Sequence, residues 1–329
     1  WNSAAALMII KLTPALLAGC TVIIKASPEA PLGGYLLMEI IEELGLPPGT
    51  VNFVTAERAS SEHLVRHPGV DKITFTGSTV AGKRIASICG ERLARCTLEL
   101  GGKSAAVVLD DYQVDQVAAT LAQSTAFMTN QVCAALSRVV VSKYRHDEMV
   151  DALADAFRKI KVGDPYDPAS NMGPLAMRRQ LDRVCDYIDK GKADGARLAT
   201  GGGRPAGLNR GYYIEPTVFA NVDPNSTIAQ EEIFGPVVAV IAAEDEADAI
   251  RIANGTQFGL NASIFTNDVD RAQALARELR SGNVGHNAFR VDFGVGFGGV
   301  KQSGIGREGG PDGLRAYLES KTVLLRRSA

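Results

Sequence analysis

Short β-branched runs alternate with helix-length segments along the whole chain, and this alternation constrains the fold more than any other feature. Thr21-Val22-Ile23-Ile24-Lys25 follows a helix that ends at Gly19, and suits a buried parallel strand. Residues 31–44 carry apolar side chains at helical spacing and stop at Gly45, with Pro47-Pro48 beyond. Strands are predicted at 51–54, 72–75 and 96–100, with helices at 62–67 and 80–89 between them. Gly101-Gly102-Lys103 then marks a domain change, and the pattern restarts. Strands follow at 105–109, 138–142, 197–200, 212–219, 237–241 and 262–266, and helices at 114–128, 146–160, 175–191, 246–254 and 269–280. Strand–helix–strand units of this length predict α/β domains with parallel sheets covered on both faces. Residues 294–313 hold nine glycines, a backbone that turns sharply or lets a ligand approach.

Composition narrows the function. A formal net charge of −2 lacks the basic excess that nucleic acid requires. Lys11, Thr13 and Pro14 interrupt the longest apolar stretch, so no membrane span is expected, and it lacks the basic start of a signal peptide. Cys20, Cys89, Cys96, Cys133 and Cys185 are scattered, with no Cys-x-x-Cys pair, which predicts neither a disulfide framework nor a zinc site and suits a reducing cytoplasm. His63 and His67 stand four apart without a metalloprotease glutamate, so a solvated helix face is expected and no metal.

Three features could carry chemistry. Phe75-Thr76-Gly77-Ser78-Thr79-Val80-Ala81-Gly82 lies where a strand turns into a helix, whose free N–H groups favour a pyrophosphate. It lacks the Gly-x-Gly-x-x-Gly fingerprint and the Walker lysine, so a plain turn feeding a helix stays open. Cys133 sits between a predicted helix and a strand, in Asn130-Gln131-Val132-Cys133-Ala134-Ala135, where small neighbours leave room around the sulfur. The other cysteines fall in or beside regular elements, where a small buried hydrophobe is expected; Cys133 is the nucleophile candidate. Glu99 ends an otherwise apolar strand. It is either a base whose pKa burial raises, or a carboxylate that caps the next element or pairs with Arg95.

Four motifs occur in order: Glu99-Leu100-Gly101-Gly102-Lys103-Ser104, Gln131-Val132-Cys133, Glu231-Glu232-Ile233-Phe234-Gly235-Pro236 and Phe297-Gly298-Gly299-Val300-Lys301-Gln302-Ser303-Gly304. Together, and with Cys133 lying 34 residues after Glu99, they make the chain resemble the NAD(P)-dependent aldehyde dehydrogenase family. The resemblance implies a Rossmann-like cofactor domain and a second α/β catalytic domain. Residues 1–102 would be part of the first, 103–310 the catalytic domain, and 311–329 a return to the cofactor domain with an oligomerisation strand at 321–325. By the same resemblance, an upstream segment of the family, including an oligomerisation hairpin, would be missing.

By position, Cys133 resembles the nucleophile, Asn2 the oxyanion donor, and Glu99 the base that activates water against a thioester. Lys11 and Glu308 resemble residues of proton transfer; a snorkelling helix lysine is the other reading of Lys11. Trp1, Lys25, Ser27, Glu29, Thr76, Gly77, Ser78, Leu100, Gly101, Glu232 and Phe234 fall at positions that bind NAD or NADP. The implied partners are a small aldehyde and further copies of the chain, as a homodimer or homotetramer. A CoA-acylating relative and an inactive assembly subunit are the alternatives.

The chain departs from the family pattern at several points. Pro28 stands where strictly NAD-dependent members often carry Glu, which leaves NADP open. Ala56 and Ser61 stand where glycine is frequent. The glycine before Gln131 is missing, either replaced by Asn130 or deleted with a compensating shift upstream; if it supplied a left-handed turn, asparagine is the best substitute, since it tolerates that backbone.

Overall fold

The computed structural model describes residues 1–326. The first third runs α1 (Ala4–Leu17), β1 (Val22–Ala26), α2 (Leu32–Glu43), β2 (Val51–Thr55), α3 (Arg58–Arg66), β3 (Lys72–Thr76), α4 (Thr79–Glu91) and β4 (Arg95–Glu99). Strands β1 and β2 pair in parallel, and β3 and β4 pair in parallel as part of a separate sheet. Leu12, Ile24, Ile41 and Val51 form the small core under the first pair.

The chain continues through β5 (Ser104–Val108), α5 (Val114–Ala126), β6 (Leu136–Ser142), α6 (His146–Arg158), α7 (Arg178–Ala193), β7 (Arg197–Thr200) and β8 (Thr217–Ala220). It ends with α8 (Thr227–Gln230), β9 (Val237–Ala243), α9 (Glu246–Asn254), β10 (Asn261–Phe265), α10 (Val269–Glu278), β11 (Asn283–His286), β12 (Gly304–Ile305) and α11 (Gly310–Arg315). Seven strands form one sheet in the order β11-β10-β5-β6-β9-β8-β7, parallel except at β7. Alternation sorts its side chains. Val107, Val140, Ile241 and Ile264 meet α7, α9 and α10 on one face; Val108, Val139, Val240 and Phe265 meet α5 and α6 on the other.

The alternation predicted this α/β architecture. Four short elements escaped it: β11, β12, α8 and α11. The strand expected at 212–219 starts only at Thr217, because the Glu215 amide bonds to Gly203 and Pro216 has no N–H to give. The helix expected from 175 starts at Arg178, and the one expected to 128 stops at Ala126. β12 brings the late chain back to pair antiparallel with β4, opposing Gly304 to Glu99. Residues 321–325 form no strand within this chain, and Leu324 and Leu325 are exposed. The last three residues of the 311–329 segment lie outside the described residues.

Candidate active site

The loop that carries Cys133 is built on a backbone that most sequences avoid. After α5, Met128, Thr129 and Asn130 adopt φ of 52°, 56° and 55° in succession. Each left-handed non-glycine residue costs roughly 1–2 kcal/mol, so the segment must be held from outside. Asn130 Nδ2 donates to Gly235 O at 3.0 Å, Thr129 Oγ1 to Gly173 O at 3.0 Å, and Gln131 Nε2 to Met128 O at 3.0 Å. Gln131 Oε1 accepts from the Ala176 amide. Asn130 thus serves twice, as a left-handed residue and as a buried donor. Asn130→Ala is expected to lose about 2 kcal/mol, and Asn130→Gly, which keeps the backbone, about 1 kcal/mol, in denaturant titration. Equal losses would remove the backbone part of this account.

Two glycines let the loop close on β4. A Cβ on Gly102 would stand 2.4 Å from the Cys133 carbonyl oxygen, and one on Gly101 would stand 2.4 Å from Glu232 Oε2. The Gly102 amide donates to Glu232 Oε1 at 3.1 Å. Burial, then Glu232 and Glu99, push the Cys133 thiol up to about 12, against the pull of the Ala134 and Cys133 amides. Backbone amides aimed at the sulfur are the kind of donor that can hold an oxyanion formed there. Asn2 Nδ2 donates to Gln131 O at 2.7 Å, two residues from the sulfur, and has a second proton to give.

Glu99 is 3% exposed, and neither carboxyl oxygen has a hydrogen-bond partner in the protein. Arg95, the alternative partner suggested by sequence, pairs with Glu319 at 2.7 Å instead. Burial and then Glu308 push Glu99 up to about 9, with Lys11 and Arg307 opposing. Lys11 does not snorkel to solvent. Its Nζ donates to Glu308 at 2.6 and 2.7 Å and to Thr76 Oγ1 at 2.7 Å, and Thr74 Oγ1 donates to the same carboxylate at 2.9 Å. Glu308→Gln removes the like charge while Lys11 stays. The acidic limb of the turnover profile should move down by about one pH unit, because less alkali is then needed to ionise Glu99. An upward shift in the pH–rate series would show that Glu308 does not act on that group.

The other sequence candidates gather around the ends of β1, β3 and β4. Lys25 reaches the Ala56 carbonyl, and burial lowers its pKa. The Ser27 hydroxyl and then Arg179 hold Glu29 down to about 2; Arg179 Nη2 lies 2.5 Å from it. The Ser78 hydroxyl accepts the Ala81 amide at 3.3 Å and so caps its own helix, and the first amides of α4 remain free of intrahelical bonds. Gly77 N donates to Glu99 O, and Leu100 N to Ser303 O. Trp1 stands edge-on to Phe234, centroids 5.1 Å apart. Phe234 has φ 63° and is held by Gln180, which donates to its carbonyl, while Arg183 donates to the Glu232 carbonyl. Arg179, Gln180 and Arg183 on α7, Thr74 on β3 and Arg307 just after β12 escaped sequence reasoning, and nothing in the local pattern marks them. Free amides at a helix start suit an anion such as a pyrophosphate.

An α/β framework that sets an isolated carboxyl to act on a cysteine is suited to an oxidoreductase working through a thiol. The model of the aldehyde dehydrogenase family matches residues 1–323. The chain is 46% identical to geranial dehydrogenase of Castellaniella defragrans, covering 99% of this chain and 68% of that protein. It is 41% identical to betaine aldehyde dehydrogenase of Sinorhizobium fredii, covering 98% and 67%. The crystal structure of a Mycobacterium tuberculosis aldehyde dehydrogenase complexed with NAD+ superposes with a TM-score of 0.97 at 44% identity, covering 99% of this chain and 68% of that one. The chain therefore spans about two thirds of the length of these relatives and belongs to the aldehyde dehydrogenase family, NAD(P)-dependent oxidoreductases that convert aldehydes to acids.

Proposed function

We propose that this chain oxidises apolar aldehydes, with Cys133 as nucleophile and Glu99 as the base for hydrolysis. The observation that carries the chemistry is the buried, unpartnered Glu99 carboxyl acting on the Cys133 thiol. The Cys133 sulfur, once it has given up its proton, attacks the carbonyl carbon to form a thiohemiacetal. The oxyanion is held by the Cys133 amide and the free proton of the Asn2 amide. Bound NAD(P)+ supplies the hydride acceptor. The acyl group is left as a thioester on Cys133. Glu99 takes a proton from water as the water attacks that thioester, and the acid departs. Lys11 and Glu308 then exchange the proton held by Glu99 with solvent.

A bound dinucleotide would be held along the same residues. The α4 amides, with Thr76, Gly77 and Ser78, would face its pyrophosphate. Lys25, Ser27 and Glu29 would meet one ribose and Glu232 the other. Trp1, Leu100, Gly101 and Phe234 would wall the nicotinamide. The apolar neighbourhood of the loop favours apolar substrates: Val132, Cys133, Phe289 and Val291 pack against a buried cluster of Ala134, Leu260 and Phe297. Exposed Leu32, Leu36 and Ile40 on α2 suit assembly into a homodimer or homotetramer, and five free cysteines suit the cytoplasm.

A panel of geranial, octanal and betaine aldehyde, each with NAD and NADP and without CoA, tests the reading. The apolar aldehydes are expected to give the higher kcat/KM and to release free acid. Preference for betaine aldehyde, or strict dependence on CoA, would overturn it.

A further inference from the structure

Behind the nucleophile loop lies a small chamber lined by Lys103, Ser104, Arg138, Asn254, Asn261 and Ser281. Four side-chain atoms on this lining have no hydrogen-bond partner in the protein: Lys103 Nζ, Ser104 Oγ, Asn261 Oδ1 and Ser281 Oγ. Lys103, Ser104 and Asn261 are only 2–3% exposed. Buried polar groups are normally satisfied, so four orphans on one wall point to a ligand.

The charges say which kind. Among the described residues, none on the lining is acidic. Arg138 is fully buried and committed to the carbonyls of Lys103, Ile252 and Ala253 at 2.9, 2.8 and 2.7 Å. Lys301 Nζ donates to Asn254 O and Thr256 O at 2.7 and 3.1 Å, setting another cation against the same wall, and exposed Arg280 stands at the rim. Buried cations without a carboxylate are unfavourable unless an anion joins them.

We propose that this chamber binds one small inorganic monoanion of chloride size, held by Lys103 Nζ with the hydroxyls of Ser104 and Ser281. The chamber's free space is about that of one water molecule, so a bare halide taking a water's place would fill it. Asn261 Oδ1 takes a hydroxyl or ammonium proton that the anion leaves over. Burial and Arg138, and to a lesser degree Arg183, push the Lys103 ammonium down to about 7, with Glu232 and Glu231 pulling the other way. A bound anion holds that ammonium charged. The site is one step from the chemistry: Asn261 Nδ2 donates to Ala134 O at 3.0 Å, so occupancy steadies the peptide that follows Cys133.

The test reads stability and scattering rather than turnover, so it stands or falls apart from the catalytic reading. Thermal midpoints are compared in gluconate, chloride and bromide at fixed ionic strength, in the native chain and in Lys103→Met. The native chain should show a saturable rise with either halide, and Lys103→Met should show none. Crystals grown in bromide should give an anomalous peak beside Lys103 Nζ. If Lys103→Met does not fold, Ser281→Ala serves; losing one hydroxyl donor should weaken halide binding about tenfold. Chamber density without a bromide signal, which is water, or a halide response that survives both substitutions, overturns the proposal.

Discussion

Cys133→Ala should abolish aldehyde-dependent NAD(P)H formation, lowering turnover by about 10⁴-fold or more, while the fold and cofactor binding persist. The size of the loss follows from the chemistry: without the sulfur there is no covalent adduct, and no other cysteine can take its place. Cys89 lies buried in α4, Cys96 in β4, Cys185 in α7, and Cys20 follows α1. The fold should survive because the loop is held by Asn130, Thr129 and Gln131 rather than by the thiol. Trp1, the single tryptophan, packs against Phe234 and gives a fluorescence signal for cofactor binding independent of turnover. A variant that binds cofactor, melts like the native chain and still turns over within tenfold of it would remove Cys133 from the mechanism.

The site was legible where chemistry needs a local exception and illegible where it needs distant partners. Glu99 stood out as an acid at the end of an apolar strand, and Cys133 as a cysteine outside regular structure. Gly101 and Gly102 stood out as a break, though only the structure shows why: one makes room for Glu232 and the other for the Cys133 carbonyl. Lys11 and Glu308 lie 297 residues apart and meet only because β12 returns the chain to β4. Only family resemblance joined them beforehand.

The same contrast holds for the fold. The helix Glu246–Asn254 matched its periodic pattern, because Ala249, Ile250, Ile252 and Ala253 are buried on one face in a way the sequence must encode. Asn-Val-Gly-His has no such alternation and becomes β11 only by pairing with β10. β12 is two residues of backbone with almost no side-chain signal. The left-handed run before Cys133 was half visible: Asn130 announced it, but Thr129, a β-branched residue at φ 56°, did not.

These placements leave the site with protons stored on groups that must later be bases. Near neutral pH the Cys133 thiol is neutral, at about 12, and so is Glu99, at about 9. Each raises the cost of ionising the other, since Glu99 is among the causes of the thiol shift. The site must therefore change before attack, and Glu232 is the obvious lever. Its carboxylate, raised by burial to about 7, also pushes the thiol up while it lies over Gly101 and Gly102. Drawing Glu232 toward a cofactor ribose would relieve that push and favour the thiolate.

Glu99→Gln separates the two halves of the reaction. Glutamine has the shape of the neutral acid that occupies the site near pH 7, and no hydrogen bond from Glu99 is lost because none is made. The variant should therefore fold and bind cofactor normally. Acylation needs Cys133 and the oxyanion donors, so the first turnover should survive as a burst of NAD(P)H equal to the enzyme present. Hydrolysis needs a group to take the proton from water, and glutamine cannot, so the steady state should fall about 10²- to 10⁴-fold. Rapid mixing with an apolar aldehyde reads both phases in one trace, and quenching after the burst should recover the acyl group on Cys133. A hydroxylamine trap adds a control, since a strong nucleophile needs no base and should restore turnover to the variant. Loss of the burst itself, with cofactor still bound, would place Glu99 earlier, as the group that takes the thiol proton. The raised pKa values of the resting pair make that the one competing role with a physical basis.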